Sequence, residues 1–221
     1  MWNPYLEEFL ATEKEGLVGL DNRDLWPLGK RRELTNRYSW AIPDDESIKC
    51  LVSLSPIIEI GAGTGYWARL VRDAGGDVIA FDRYIHKNHY HNPCIHHSNV
   101  AYGTAKVTAR HSKRTLMLCW PPMSPMAEVS LLNYGGTCLV FVGEGDGGCC
   151  ANDKFFEMLD GWKEVDYIEI PQWPYMNDAM RVYRREMQCE LPPFKLSPKI
   201  LTTTAITEIT YPAYDNGGEV L

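Results

Sequence analysis

The chain has 221 residues, of which 45% are hydrophobic and 23% charged, ordinary values for a soluble globular protein that suggest neither a disordered nor a membrane-spanning class. Twenty-nine acidic against 22 basic residues give a net charge of -7, which repels polyanions and argues against nucleic acid as the main partner. No apolar run reaches the roughly 20 residues of a transmembrane helix, and the start MWNPYLEEFLATEKEG lacks the order of a secretory signal, so a cytoplasmic location without membrane attachment is expected. The seven cysteines are odd in number and never spaced C-x-x-C, so they read as buried or idle thiols rather than as a disulfide framework or a zinc ribbon.

In chain order, Trp2, Tyr5, Leu6, Phe9 and Leu10 recur at helical spacing and predict a short amphipathic helix that caps the core. A polar stretch carrying Lys30, Arg31, Arg32 and Arg37 follows. The acidic run Asp44, Asp45, Glu46 marks a helix start, with an end near Ser53. PIIEIG (56–61) is a continuous apolar run suited to a strand covered on both faces, and it leads through a glycine-rich turn into the helical pattern YWARLVRDAG. Further strands are predicted at 77–82, 115–120 and 137–144, a thin one near 97–101, and helices at 126–134 and 153–159. The segments 163–170 and 179–186 are linked too tightly for a helical crossover and should pair antiparallel. Alternation of strands and helices implies an α/β, doubly wound, seven-stranded and mostly parallel sheet with a C-terminal antiparallel pair. We divide the chain into a domain at 1–190, with a helical cap at 1–55 and a core at 56–190, and a proline-bearing C-terminal extension at 191–221.

The sharpest signal is EIGAGTGYW, residues 59–67. Gly61, Gly63 and Gly65 let the backbone turn tightly and let a ligand approach its peptide groups at the mouth of a parallel sheet. A dinucleotide fingerprint would need its third glycine at Tyr66, and no Gly-Lys-Ser/Thr follows, so NAD is disfavoured and a Walker-type loop excluded. Asp82, at a strand end, is suited to accepting both hydroxyls of a ribose; an acidic helix cap is the competing reading.

The alternating glycine turn preceded by Glu59, with Asp82 ending the next strand, a later strand running into Pro121-Pro122 and a terminal antiparallel pair, resembles the class I S-adenosylmethionine-dependent methyltransferases over residues 56–186. The segments YSWAIP (38–43), CWPP (119–122) and FVGEGDGG (141–148) resemble an uncharacterised branch of that superfamily, and the resemblance assigns no substrate. The resemblance implies S-adenosyl-L-methionine as cofactor and places Glu59, Gly61, Ala62, Gly63, Gly65, Asp82, Asn99 and Cys119 around it. Asn99 stands in for the acidic residue that meets the adenine amino group in the family. Glu59 would help hold the methionine end or else form a salt bridge.

On the acceptor side, Trp120, Pro121 and Pro122 would form a rigid wall, Trp120 either stacking on a planar acceptor or filling the core. Trp120 and Met123 flank Pro-Pro where the amino-methylating branch has Asn, Asp or Ser and an aromatic, which turns the reading away from amine methylation. Glu144, in GEGDGG (143–148), and His91 are the catalytic candidates. Five of six histidines fall within 86–97 beside Cys94, but the spacing matches no small zinc module, so a loop over the ligand is expected and no metal. The expected activity is methyl transfer to a small, planar or aromatic molecule, the alternative a non-catalytic domain that keeps the cofactor fold as scaffold or sensor.

Overall fold

The computed structural model describes residues 2–14, 28–86, 88–92 and 95–185. They belong to one compact unit, Met1–Met187; a second unit, Gln188–Leu221, contains the expected C-terminal extension, which lies outside the described residues together with Cys94 and Cys189.

The first strand, β1 (Ile57–Ile60), is buried at every position, as its unbroken apolar run predicts. It pairs in parallel with β2 (Val78–Asp82) on one side and β4 (Thr115–Cys119) on the other. The two-residue β3 (Ala101–Tyr102) extends the β2 edge, and β5 (Cys138–Gly143) continues beyond β4, again parallel. The last strands, β6 (Trp162–Glu169) and β7 (Ala179–Arg185), form an antiparallel pair, with β7 inserted next to β5. The sheet order is β3-β2-β1-β4-β5-β7-β6, the doubly wound and mostly parallel architecture expected.

Alternation along each strand sorts the core into two layers. Ile57 of β1, Val78 and Ala80 of β2 and Met117 of β4 join Ile48 and Leu51 of α3 (Asp45–Ser53) and Trp67, Leu70 and Val71 of α4 (Tyr66–Asp73). On the opposite face Ile58, Ile60, Leu116, Leu118 and Phe141 meet Ala127 and Leu131 of α5 (Met126–Asn133) and Phe155 of α6 (Asp153–Glu157). Burying a side chain of this size stabilises the fold by about 1.5 to 3 kcal/mol, so these two layers dominate its stability. The acidic helix start is a capping box: Asp44 accepts the Ser47 N–H while Ser47 Oγ accepts the Asp44 N–H.

At the N-terminus α1 (Pro4–Lys14) buries Tyr5, Phe9 and Thr12 against the first layer. Trp173 Nε1 donates to the Tyr5 hydroxyl at 3.0 Å and the Trp173 ring meets Phe9 edge-on, which ties the cap to the loop between β6 and β7. The polar stretch that the sequence leaves unassigned is a helix, α2 (Leu28–Arg37), buried through Leu34 and Thr35. Of its basic residues, Arg37 and Lys30 pair with Glu8 of α1 and with Glu33. Among the described residues no helix is long and apolar enough to cross a membrane.

Candidate active site

In the order β3-β2-β1-β4-β5 the chain direction of winding reverses between β1 and β4, and ligands of such sheets bind outside the carboxyl ends of the strands at that point. The glycine turn lies there. Gly61, Gly63 and Gly65 have φ of +77°, +54° and +71°, a region that only glycine enters without strain, and Gly65 is the residue from which α4 starts. The main-chain N–H groups of Gly61 and Ala62 donate to the Phe81 carbonyl, and the Asp82 carboxylate continues the link: Oδ2 accepts the Gly63 N–H at 2.8 Å and Oδ1 the Tyr84 N–H at 2.6 Å. Each oxygen keeps a second lone pair. Asp82 therefore shapes the turn, a function the sequence reading did not give it.

Beneath the turn, Glu59 is 1% exposed, and its Oε2 is buried without a hydrogen-bond partner. Burial pushes its carboxyl up to about 8, with the nearby Asp82 charge adding and Arg72 subtracting. Among the described residues Glu59 forms no ion pair, and the Arg72 guanidinium is bonded to Val78 O, Ser98 Oγ and Asn99 O. Asn99 is exposed just ahead of β3, and its described contact is through that carbonyl.

Within the histidine-rich segment, His91 and His97 contact the turn, and His97 also contacts Arg37 and Tyr38. His97 N–H donates to the Thr64 carbonyl, its Nε2 lies 2.6 Å from the Arg37 carbonyl, and its ring stacks on Tyr38 at 5.4 Å. Thr64 Oγ1 donates in turn to the Tyr38 carbonyl. His91 is 6% exposed and so close to Gly63 that a Cβ there would lie 2.6 Å from Nε2. Burial lowers the His91 pKa against the pull of the Thr35 and Asn36 carbonyls and Asp82, which keeps the ring neutral near pH 7, and Nδ1 finds no partner of hydrogen-bonding geometry. Among the described residues no three His, Cys, Asp or Glu side chains converge as metal ligands.

Beyond β4, Trp120 takes φ +48°, an uncommon backbone for a bulky residue. Three contacts hold it: its N–H donates to Val142 O, its indole stacks on Trp40 with centroids 5.0 Å apart, and Nε1 donates to Asp178 Oδ1 at 2.8 Å. Trp120 is half-buried, so it is neither sealed in the core nor loose on the surface. The Pro121 and Pro122 carbonyls accept N–H bonds from Ala151 and Ser124. Cys119 precedes this wall; burial, then the Glu59 and Asp178 charges, holds its thiol protonated.

Glu144 is no free base. Oε1 accepts the Asn177 N–H, and Oε2 accepts the Cys149 N–H and thiol at 3.0 and 2.9 Å. Burial works against ionisation here, but these bonds win and hold the carboxyl below its ordinary range, a poor match for taking a proton near neutrality. Glu144 instead anchors the β6–β7 loop that carries Asp178. That carboxyl is 4% exposed and is pushed up to about 6 by burial. The sequence reading missed Asp178 and Trp40. Trp40 sits in the quoted YSWAIP segment, whereas Asp178 stands just before β7, a position that carries no motif.

Strand order, the inserted antiparallel β7 and a glycine turn at the switch point give the doubly wound sheet with a C-terminal antiparallel pair that the resemblance to class I S-adenosylmethionine-dependent methyltransferases implies. No protein-family profile and no curated protein matches the chain. Solved structures do, at low identity. Magnesium protoporphyrin IX methyltransferase from Synechocystis, solved with S-adenosylmethionine bound, is 12% identical over 76% of this chain and 86% of that one, with a TM-score of 0.42. A methyltransferase from Anabaena variabilis is 10% identical over 71% and 92%, at 0.39. A putative tRNA (m1A22) methyltransferase from Streptococcus pneumoniae is 9% identical over 69% and 74%, also at 0.39.

Proposed function

We propose that the chain is an S-adenosylmethionine-dependent methyltransferase with a small, planar acceptor. The observation that carries this reading is the glycine turn clasped by Asp82 at the β1–β4 switch point, with a bare Glu59 oxygen beneath it. Gly61, Ala62, Gly63 and Gly65 offer backbone to the cofactor, Asp82 its remaining lone pairs to the ribose, Glu59 its oxygen to the methionine end, and Asn99 and Cys119 the flanks. The cofactor supplies an electrophilic methyl group. The protein's contribution is alignment, and a base is needed only where the acceptor must lose a proton.

Trp120, braced by Trp40 and Asp178 and backed by Pro121 and Pro122, is the flat surface on which an aromatic acceptor would lie. In this reading Asp178 takes the proton-accepting part first given to Glu144, and His91 closes the cofactor side. The contact between His91 and Gly63 favours a second reading, a cofactor-fold domain without turnover, because a ligand approaching Gly63 meets the ring.

Calorimetric titration with S-adenosylmethionine and S-adenosylhomocysteine tests the cofactor reading. Saturable binding of either supports it; binding of NAD with no heat from either sulfur ligand overturns it. Turnover is decided by mass spectrometry of small phenols incubated with protein and S-adenosylmethionine, where absence of any methylated product across the set favours the second reading.

A further inference from the structure

Four carboxyls are buried at the carboxyl edge of the sheet, and among the described residues three of them leave no buried oxygen bare. Asp82 and Glu144 accept main-chain N–H groups, and Asp178 accepts the Trp120 indole. Glu59 is the most deeply buried of the four, and its Oε2 is the one carboxyl oxygen among the described residues that is buried without a partner. The groups facing it are Arg72 of α4, engaged elsewhere, Asp82 at the end of β2, Cys119 at the end of β4 and the Ala68 N–H. Among the described residues no cation forms an ion pair with it. As a carboxylate it would be a desolvated charge with a second negative charge nearby, an arrangement that costs several kcal/mol by general solvation arguments.

We propose that Glu59 holds a proton in the ligand-free protein and releases it when the ammonium of an amino-acid ligand arrives at Oε2, which makes cofactor binding proton-coupled. The inference rests on the cofactor reading given above. The step balances as a neutral carboxylic acid plus a bound ammonium giving a carboxylate–ammonium pair, with one proton passed to solvent. No covalent bond to carbon or sulfur changes. Burial and Asp82 hold the resting carboxyl near 8, so at pH 7 the group is mostly protonated and has a proton to give. A ligand cation reverses the balance by supplying the missing charge and donor together.

The test is calorimetry of the full chain with S-adenosylhomocysteine at pH 7 in buffers of different ionisation enthalpy, which counts protons exchanged on binding. About one proton released per site is expected, with affinity rising by up to roughly tenfold per pH unit between pH 6 and 8. Adenosine, which lacks the ammonium, should bind more weakly and release none. Glu59→Gln should release none with either ligand and show a flat pH profile. Where that variant does not fold, the infrared difference spectrum of the wild type serves instead: the protonated-carboxyl band should vanish when S-adenosylhomocysteine binds. Binding without proton release, an unchanged band, or equal release by adenosine overturns the inference and leaves the cofactor reading standing. Absence of any binding overturns both.

Discussion

Gly63 is held by three constraints that act in one place. Its φ of +54° excludes side chains, its N–H belongs to Asp82, and its open face is filled by His91. Gly63→Ala is expected to destabilise the protein by about 1 to 3 kcal/mol in denaturant unfolding, combining backbone strain with a clash against a ring. His91→Ala in the same chain should recover only the clash, and the shortfall from full recovery measures the backbone part, which a double-mutant cycle isolates. Asp82→Asn loses the charge and also sets an amide NH2 against one of the two N–H groups, of Gly63 or Tyr84, that the carboxylate accepts. It should weaken S-adenosylhomocysteine by about 1.5 to 3 kcal/mol in calorimetric titration, the worth of a charge-assisted bond. Unchanged affinity would move the ribose away from Asp82.

Elements with a clear period were legible in the sequence, and those made by tertiary contact were not. The β1 strand reads as apolar throughout because both faces are covered, and the α3 start reads through Asp44 and its neighbours. By contrast, α2 buries Leu34 within a run of charges, so no apolar stripe marks it in the sequence, and β3 has two residues, both exposed. The glycine turn and Asp82 were visible as types and spacing. The engagement of Glu144 by Asn177 was not, since it joins loops 33 residues apart through a main-chain N–H that any sequence supplies. The α1–α2 contact separates two forces. Glu8 pairs with Lys30 and Arg37 at the surface, where such bridges are worth about 0 to 1 kcal/mol, so Glu8→Gln should shift unfolding little. Leu34→Ala should cost about 2 to 5 kcal/mol, because the cap is held by apolar burial.

For the whole molecule the buried titrating groups oppose one another across pH. Glu59, raised from 4.5 to about 8, and Asp178, raised from 3.8 to about 6, bind more protons folded than unfolded, so stability falls as pH rises through 3.8 to 6 for Asp178 and 4.5 to 8 for Glu59. His91, lowered from 6.5, acts the other way: the folded state resists its protonation, and stability is lost as pH falls below 6.5. Glu144, lowered from 4.5, adds to the loss in acid. Thermal melts from pH 4 to 9 should therefore show a maximum on the acid side of neutrality and a decline toward pH 8, and Glu59→Gln should flatten that decline. A monotonic rise to pH 8 would contradict the burial of Glu59. The Trp40–Trp120 stack has an optical consequence. Two indoles 5.0 Å apart and inclined by 23° couple their electronic transitions, so the pair should give a couplet in ultraviolet circular dichroism, lost in Trp40→Phe, that shifts whenever a flat molecule slides against Trp120. The molecule thus carries its own label at the place proposed for the acceptor, and compounds can be screened by watching the protein's own light absorption.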